Sequence, residues 1–178
     1  GSFGDIVCFS FDPIKTITCG DGGAVVSKDV EFINKVKTLR ILGIIKGEGN
    51  VLNKNNYDVV DRGWRYHMNN INAAIGKTQL IRIESFIRRR QEISKLYLKL
   101  LKNFHEVELL PFNYNEIVPY NFVIKLINHE TSFVQEEMKK ISIECGNHYF
   151  PPFMEPYFVN TNNSDLPVVQ NIYKRLVS

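Results

Sequence analysis

Little in this sequence is extreme, and each absence removes a class of protein. No apolar run approaches the length of a bilayer span, and no secretory signal pattern opens the chain, so neither a membrane nor export is expected. Charge is nearly balanced. The 22 basic and 19 acidic residues give +3, too mild and too dispersed to argue for nucleic acid. Cysteine is scarce: Cys8, Cys19 and Cys145 have no metal-type spacing, and an odd count without a secretory signal fits reduced thiols in the cytoplasm. Cys8 and Cys19 lie in apolar strands and read as small core residues. His67, His105 and His129 are scattered without ligand spacing, so no metal site is expected. No internal repeat is visible. What remains is a hydrophobic fraction of 44% over 178 residues, enough for a globular core. Both ends look cut. Gly1, Ser2 and Phe3 lead straight into an apolar run, and Arg175 to Ser178 stand inside a helical pattern, so a piece of a larger protein is expected.

The most informative stretch runs from Ile6 to Ala24. Ile6 to Phe11 is a short apolar run and reads as a buried strand. Pro13 cannot continue a ladder and marks a turn. Gly20, Gly22 and Gly23 permit backbone that other residues resist, and Ala24 to Ser27 reads as the next strand. Lys15 therefore sits on a loop between two strands, where apolar neighbours would partly desolvate it, and desolvation makes a lysine amine nucleophilic. Ser10, five residues earlier, is a hydroxyl at a strand end, a position that suits a phosphate. The same pattern also describes a solvated loop lysine and an ordinary turn serine, and the spacing does not separate the two readings.

Further along, Asp29 suits an N-cap, with Glu31 in the first turn and Phe32, Ile33, Val36, Leu39 and Ile41 at helical spacing up to Gly43. Residues 43 to 56 form a glycine- and asparagine-rich loop. Tyr57 to Met68 reads as an irregular link in which Trp64, Tyr66 and Met68 alternate with Arg65 and His67, so that one set packs and the other is solvated. Asn69 or Asn70 caps a helix in which Ala73, Ala74 and Gly76 allow close approach. A long helical pattern follows from Ile83 to Lys102, interrupted by Arg88, Arg89 and Arg90; these read as a solvated face paired with Glu84 or Glu92. Pro111 marks a boundary, beyond which the character changes to a compact α+β unit. A strand is expected from Asn121 to Ile127. A helix then starts at Thr131 or Ser132, with Ser132 and Gln135 as a capping box, and an extended segment runs from Ile143 to Phe150.

Three blocks together carry a resemblance. Gly4, Asp5, Ile6, Phe9, Ser10, Phe11, Lys15, Thr18, Asp21, Gly22 and Gly23 form the first, and Gly63 through Leu80 the second. The third is His148 and Tyr149 followed by Pro151, Pro152, Pro156 and Tyr157. In this order they resemble the DegT/DnrJ/EryC1/StrS family of pyridoxal 5'-phosphate (PLP) dependent sugar aminotransferases.

The resemblance implies an α/β chain. Residues 1–82 would be part of the large PLP-binding domain of the aspartate-aminotransferase-like fold (fold type I), 83–110 a long linking helix, and 111–178 part of a small α+β C-terminal domain. It implies that Lys15 holds PLP covalently and moves protons during amino transfer, that Ser10 binds the cofactor phosphate, and that His148 and Tyr149 contact a nucleotide-linked sugar. A residue near Arg65 would reach the PLP phosphate of a neighbouring subunit in a homodimer with shared active sites. Many members have asparagine at position 65 and arginine at position 67, so which residue plays that part stays open, with Arg65 the candidate. The expected reaction carries an amino group from glutamate to a keto group of a 4-keto-6-deoxy sugar, for surface polysaccharide or glycan synthesis in the cytoplasm. Two alternatives stand beside it. One is an inactive PLP-binding regulatory or scaffold homologue, which an intact Lys15 opposes. The other is a sugar dehydratase of the same family, a branch that has histidine where this chain has Lys15.

Overall fold

A computed structural model of the chain describes residues 3–46, 57–158 and 166–178. Strands and helices are both present in an α/β arrangement that divides into two compact units, residues 1–84 and 85–178.

In the first unit, β1 (Ile6–Ser10) pairs antiparallel with β2 (Gly23–Ser27), in a register that sets Ser10 against Gly23 and Ile6 against Ser27. The apolar run does form a strand, but Ile6 and Phe9 remain 50% and 45% exposed, and Cys8 is exposed rather than a core residue. A two-stranded ribbon has no second layer of its own with which to bury a face. Helix α1 (Val30–Leu39) follows, with Asp29 Oδ1 accepting from the Phe32 N–H at 3.0 Å as its cap. It stops two residues short of Ile41, where the chain turns through Leu42 and Gly43, both at positive φ.

The expected loop after Gly43 begins instead as a strand. β3 (Ile44–Lys46) pairs with β4 (Tyr57–Val59), and residues 47–56 lie outside the described residues. Helix α2 (Asn70–Ile81) is capped by Asn69, whose Oδ1 accepts from the Asn72 N–H at 2.8 Å. Helix α3 (Ile83–Leu101) starts just before the boundary between units and runs on in the second.

The second unit is built around a three-stranded antiparallel sheet in the order β5 (Val107–Leu109), β6 (Ile124–Leu126), β7 (Leu176–Val177). Pro111 is not a boundary between units, because β5 before it is hydrogen-bonded to β6 after it. Only Ile124–Leu126 of the expected strand, Asn121 to Ile127, is ladder. The chain's last residues carry a helical pattern as far as a single tight turn at Tyr173–Arg175; then pairing with β6 overrides it and makes β7. Leu126 and Val177 are buried in this sheet. Tyr114 is buried too, with its ring 5.6 Å from that of Phe122, which stacks on Tyr97 at 4.8 Å.

Helix α4 (Thr131–Lys140) is capped at Glu130 without a side-chain bond, so the expected capping box is absent. Thr131 is buried and its hydroxyl is shared between the Lys174 and Leu176 carbonyls at 2.9 Å, while Gln135 donates to the Cys145 carbonyl at 3.2 Å. Both side chains are therefore engaged away from the helix end. The arginine run behaves as separate residues. Arg89 pairs with Glu92 at 3.3 Å, and Arg90 Nη1 reaches the Pro119 and Tyr120 carbonyls at 3.3 and 3.0 Å.

Candidate active site

The loop from Phe11 to Gly22 is built by its residue types. Asp12 to Lys15 is a β-turn: the Lys15 N–H donates to the Asp12 carbonyl at 3.0 Å, and Pro13 occupies the position where its fixed φ is favourable. Asp12 Oδ1 also accepts from the Ile14 N–H at 3.1 Å, which locks the turn from inside. Lys15 is thereby set at the end of a rigid turn, half-buried. Ser10 ends β1 with an exposed hydroxyl whose oxygen accepts from the Asp12 N–H at 3.3 Å. The structure thus brings Ser10 and Lys15 onto one turn-bearing loop.

The base of the loop is closed by a ring of bonds centred on Phe11. Its N–H donates to the Gly22 carbonyl at 2.9 Å, and its carbonyl accepts from the Cys19 N–H at 3.1 Å and from the Thr18 hydroxyl at 3.1 Å. Thr18 Oγ1 in turn accepts from the Gly20 N–H at 2.9 Å. Gly22 stands at φ +145°, and the Gly23 backbone lies so near the Phe9 carbonyl that a Cβ there would come within 2.5 Å of its oxygen.

Cys19, Met68, Asn72 and Gly76 also belong to this site, and sequence reasoning missed three of them. Cys19 is fully buried, in the loop rather than in a strand, and donates to the Asp21 carbonyl at 3.1 Å. The Met68 methyl and the Cys19 sulfur flank Gly22, and a Cβ on Gly76 would meet Cys19 Cβ at 3.2 Å. Asn72 Nδ2 donates to the Asp21 carbonyl at 2.9 Å. The small residues of α2 were the legible signal: Gly76 does admit a close neighbour, and that neighbour is the side chain of Cys19.

Arg65 lies in an extended stretch laced to the end of α1. It bridges antiparallel to Ile41; the Trp64 N–H donates to the Leu39 carbonyl at 2.8 Å, and the Tyr66 N–H to the Arg40 carbonyl at 2.9 Å. The close pass of Gly63 over Gly43 permits this, since a Cβ on Gly63 would lie 2.1 Å from the Gly43 nitrogen. The Arg65 side chain is exposed. The alternation puts Trp64 and Tyr66 on one side, with rings parallel within 4° and 6.2 Å apart. They do not pack away as expected, being 47% and 73% exposed.

His148 and Tyr149 belong to the second unit. The segment from Ile143 to Phe150, readable as a strand or an extended loop, is a loop, clasped by paired backbone bonds between Gly146 and Ser178 at 2.7 and 2.9 Å. His148 Nδ1 lies 2.5 Å from Ser178 Oγ, and Tyr149 is exposed with its ring edge-on to the imidazole at 5.0 Å. Among the described residues no group of three or more His, Cys, Asp or Glu side chains is placed to hold a metal ion, and no helix is long and apolar enough to cross a membrane.

A sequence model of the DegT/DnrJ/EryC1/StrS aminotransferase family matches residues 1–178. The chain belongs to that family. Among its relatives, the spore coat polysaccharide biosynthesis protein SpsC of Bacillus subtilis is 27% identical over 191 residues, which take in 100% of this chain and 49% of that protein. GDP-perosamine synthase of Escherichia coli O157:H7 is 43% identical over 108 residues, covering 60% of this chain and 28% of that protein. Among solved structures, Spr1654 of Streptococcus pneumoniae in its PLP form superposes with a TM-score of 0.87 at 20% identity, over 99% of this chain and 46% of that one, which shows the shared fold. The family chain described here spans about half the length of the curated relatives that match it from end to end.

Proposed function

We propose that this chain carries the lysine-bearing part of a PLP-dependent aminotransferase. The enzyme would transfer an amino group, from glutamate, to the keto group of a nucleotide-linked 4-keto-6-deoxy sugar, for amino-sugar and polysaccharide synthesis. One observation carries the reading: a half-buried Lys15 and an exposed Ser10 hydroxyl share a single loop that is rigid at its turn and closed at its base. Family membership and relatives named for nucleotide-sugar and coat-polysaccharide synthesis support it.

The residues present fit the cofactor. PLP needs an amine to condense with its aldehyde and donors for its phosphate. Lys15 supplies the first. Ser10 supplies one of the second, because accepting from Asp12 leaves its own proton to donate. Bound PLP supplies an electron sink that stabilises negative charge on the carbon beside the transferred nitrogen. Lys15 Nζ, once released from the cofactor, takes a proton as general base and returns it as general acid. Ser10 holds the phosphate end, so the reacting end pivots little. Arg65, exposed on a strand-like stretch, is the candidate for a phosphate of a neighbouring copy in a homodimer, where its planar fork would bind two oxygens at once. His148 and Tyr149 are the candidates for the nucleotide-sugar side, with the exposed Tyr149 ring free in area to lie against a sugar or base. In this reading residues 1–82 belong to a large cofactor domain, and helix α3 links it to a small domain that includes β5, β6 and β7. A lysine rather than a histidine at position 15 favours amino transfer over dehydration.

The test is borohydride reduction of the full-length protein with PLP, followed by peptide mass mapping. A phosphopyridoxyl adduct on Lys15, and loss of amino transfer in Lys15→Ala, are expected. Adducts on other lysines only, or transfer that survives Lys15→Ala, would refute the proposal.

A further inference from the structure

A polar side chain from far away in sequence is bonded to the loop that carries Lys15. Asn72, in the first turn of α2, donates from Nδ2 to the Asp21 carbonyl at 2.9 Å across 51 residues. Its placement is over-determined. Asn69 Oδ1 holds the Asn72 backbone N–H at 2.8 Å, so the residue that caps the helix also sets the height of the Asn72 side chain. The carbonyl it meets is a junction. Asp21 O accepts from Cys19 Sγ as well, and the next residue, Gly22, returns a bond to Phe11 at the loop's closing ring. Beneath that junction Cys19 is fully buried against Gly76, one helical turn further along α2. Helix α2 therefore touches the loop twice, once through a hydrogen bond and once through a small-residue contact.

We infer that Asn72 is a positioning residue for Lys15, an inference that rests on the proposed role of Lys15. Its amide sets the Asp21–Gly22 turn, the turn sets Phe11 and Cys19, and these hold the two ends of the segment on which the amine stands. Asn72 does not touch the reacting atoms; it fixes where the loop stands that presents them. What the contact requires is a donor. Aspartate has the same shape but no donor, and its charge would face the Asp21 carbonyl. Glutamine keeps the donor on a longer stem.

The experiment uses the full-length protein with Asn72→Asp and Asn72→Gln. The first readout needs no cofactor: trace acylation of the cofactor-free protein over a pH series, with the rate at Lys15 taken relative to the exposed Lys28 by peptide mapping. The second is the rate of borohydride trapping with PLP. Asn72→Asp should change the relative acylation rate of Lys15 and slow its trapping by roughly three- to tenfold, the factor one ordinary hydrogen bond carries. Asn72→Gln should recover most of both. If Asn72→Asp lowers thermal stability while both Lys15 readouts stay at wild-type values, or if the two variants are indistinguishable, Asn72 is structural only and the inference fails. Failure of the functional reading looks different: wild-type protein would then give no trapped adduct at Lys15, whatever the acylation pattern of the variants.

Discussion

Replacing Gly22 with alanine probes the lysine loop where it is tightest. Gly22 stands at φ +145°, and holding an L residue in such sparsely populated backbone costs roughly 1–3 kcal/mol. The added methyl would also lie 2.8 Å from Met68 Cε and 2.9 Å from Cys19 Sγ. These neighbours differ in what they can yield. Met68 ends in a flexible thioether and can rotate aside. Cys19 is fully buried, lies against Gly76 and donates to the Asp21 carbonyl, so it has nowhere to go without losing contacts. Overpacking of that kind costs roughly 1–3 kcal/mol, and with the backbone term the variant should lose about 2–6 kcal/mol. Gly20 supplies the control. It also has positive φ, +84°, but nothing lies within 4 Å of a Cβ built there. Gly20→Ala should therefore show the conformational cost alone, roughly 1–2 kcal/mol. The assay is urea unfolding followed by far-ultraviolet circular dichroism, with equal slopes required before midpoints are compared. A Gly22→Ala loss no larger than that of Gly20→Ala would refute the claim that Cys19 is wedged beneath this turn.

Two further outcomes follow from other parts of the chain. Gly63→Ala would put a Cβ 2.1 Å from the Gly43 nitrogen and 2.6 Å from the Leu39 carbonyl oxygen; both are backbone and cannot rotate away, so a loss at or above about 3 kcal/mol is expected in the same assay, and a loss below about 0.5 kcal/mol would show that the Arg65 stretch is not held as described. Burial pushes the Tyr114 phenol above the ordinary tyrosine value of about 10, because the charged form is the one desolvation penalises. A folded value raised above the unfolded one contributes stability that is whole below the unfolded value and is lost as pH rises through the folded one. The alkaline limb of the stability–pH curve should therefore flatten in Tyr114→Phe, and an unchanged limb would show that Tyr114 takes no part in it.

Local chemistry made much of this legible. Asp29 and Asn69 cap their helices as their residue types demand, Pro13 turns the chain, and the apolar run at Ile6 and the stretch at Ala24 become the two strands that frame Lys15. Where the reading went astray, a distant partner decided. The helical pattern near Arg175 gives way because β6 offers Leu176 and Val177 a ladder. The Ser132–Gln135 capping box fails because Gln135 is drawn to the Cys145 carbonyl and the buried Thr131 to the far end of the chain. The strand at Ile6 is exposed because an apolar run says which residues seek cover and not whether cover is present. The Asn72–Asp21 bond had no sequence signal at all, since neither residue is unusual where it stands.

The same bond divides the sequence into a part whose length is fixed and a part whose length is free. Between Ser10 and Gly23 the chain is held at both ends, by the Ser10–Gly23 rung and by the neighbours that crowd Gly22. Between Asp21 and Asn72, β2, α1 and the Gly43–Gly63 pass are held in place, but a loop between such fixed points only has to return, and doubling a closed loop costs only about 0.6 kcal/mol. Alignments of 190 and 191 positions against a chain of 178 residues show that relatives do differ in length within the matched span. Insertions and deletions in the excursion through α1 and the β3–β4 hairpin can reshape the protein's surface while the amine of Lys15 stays where it is.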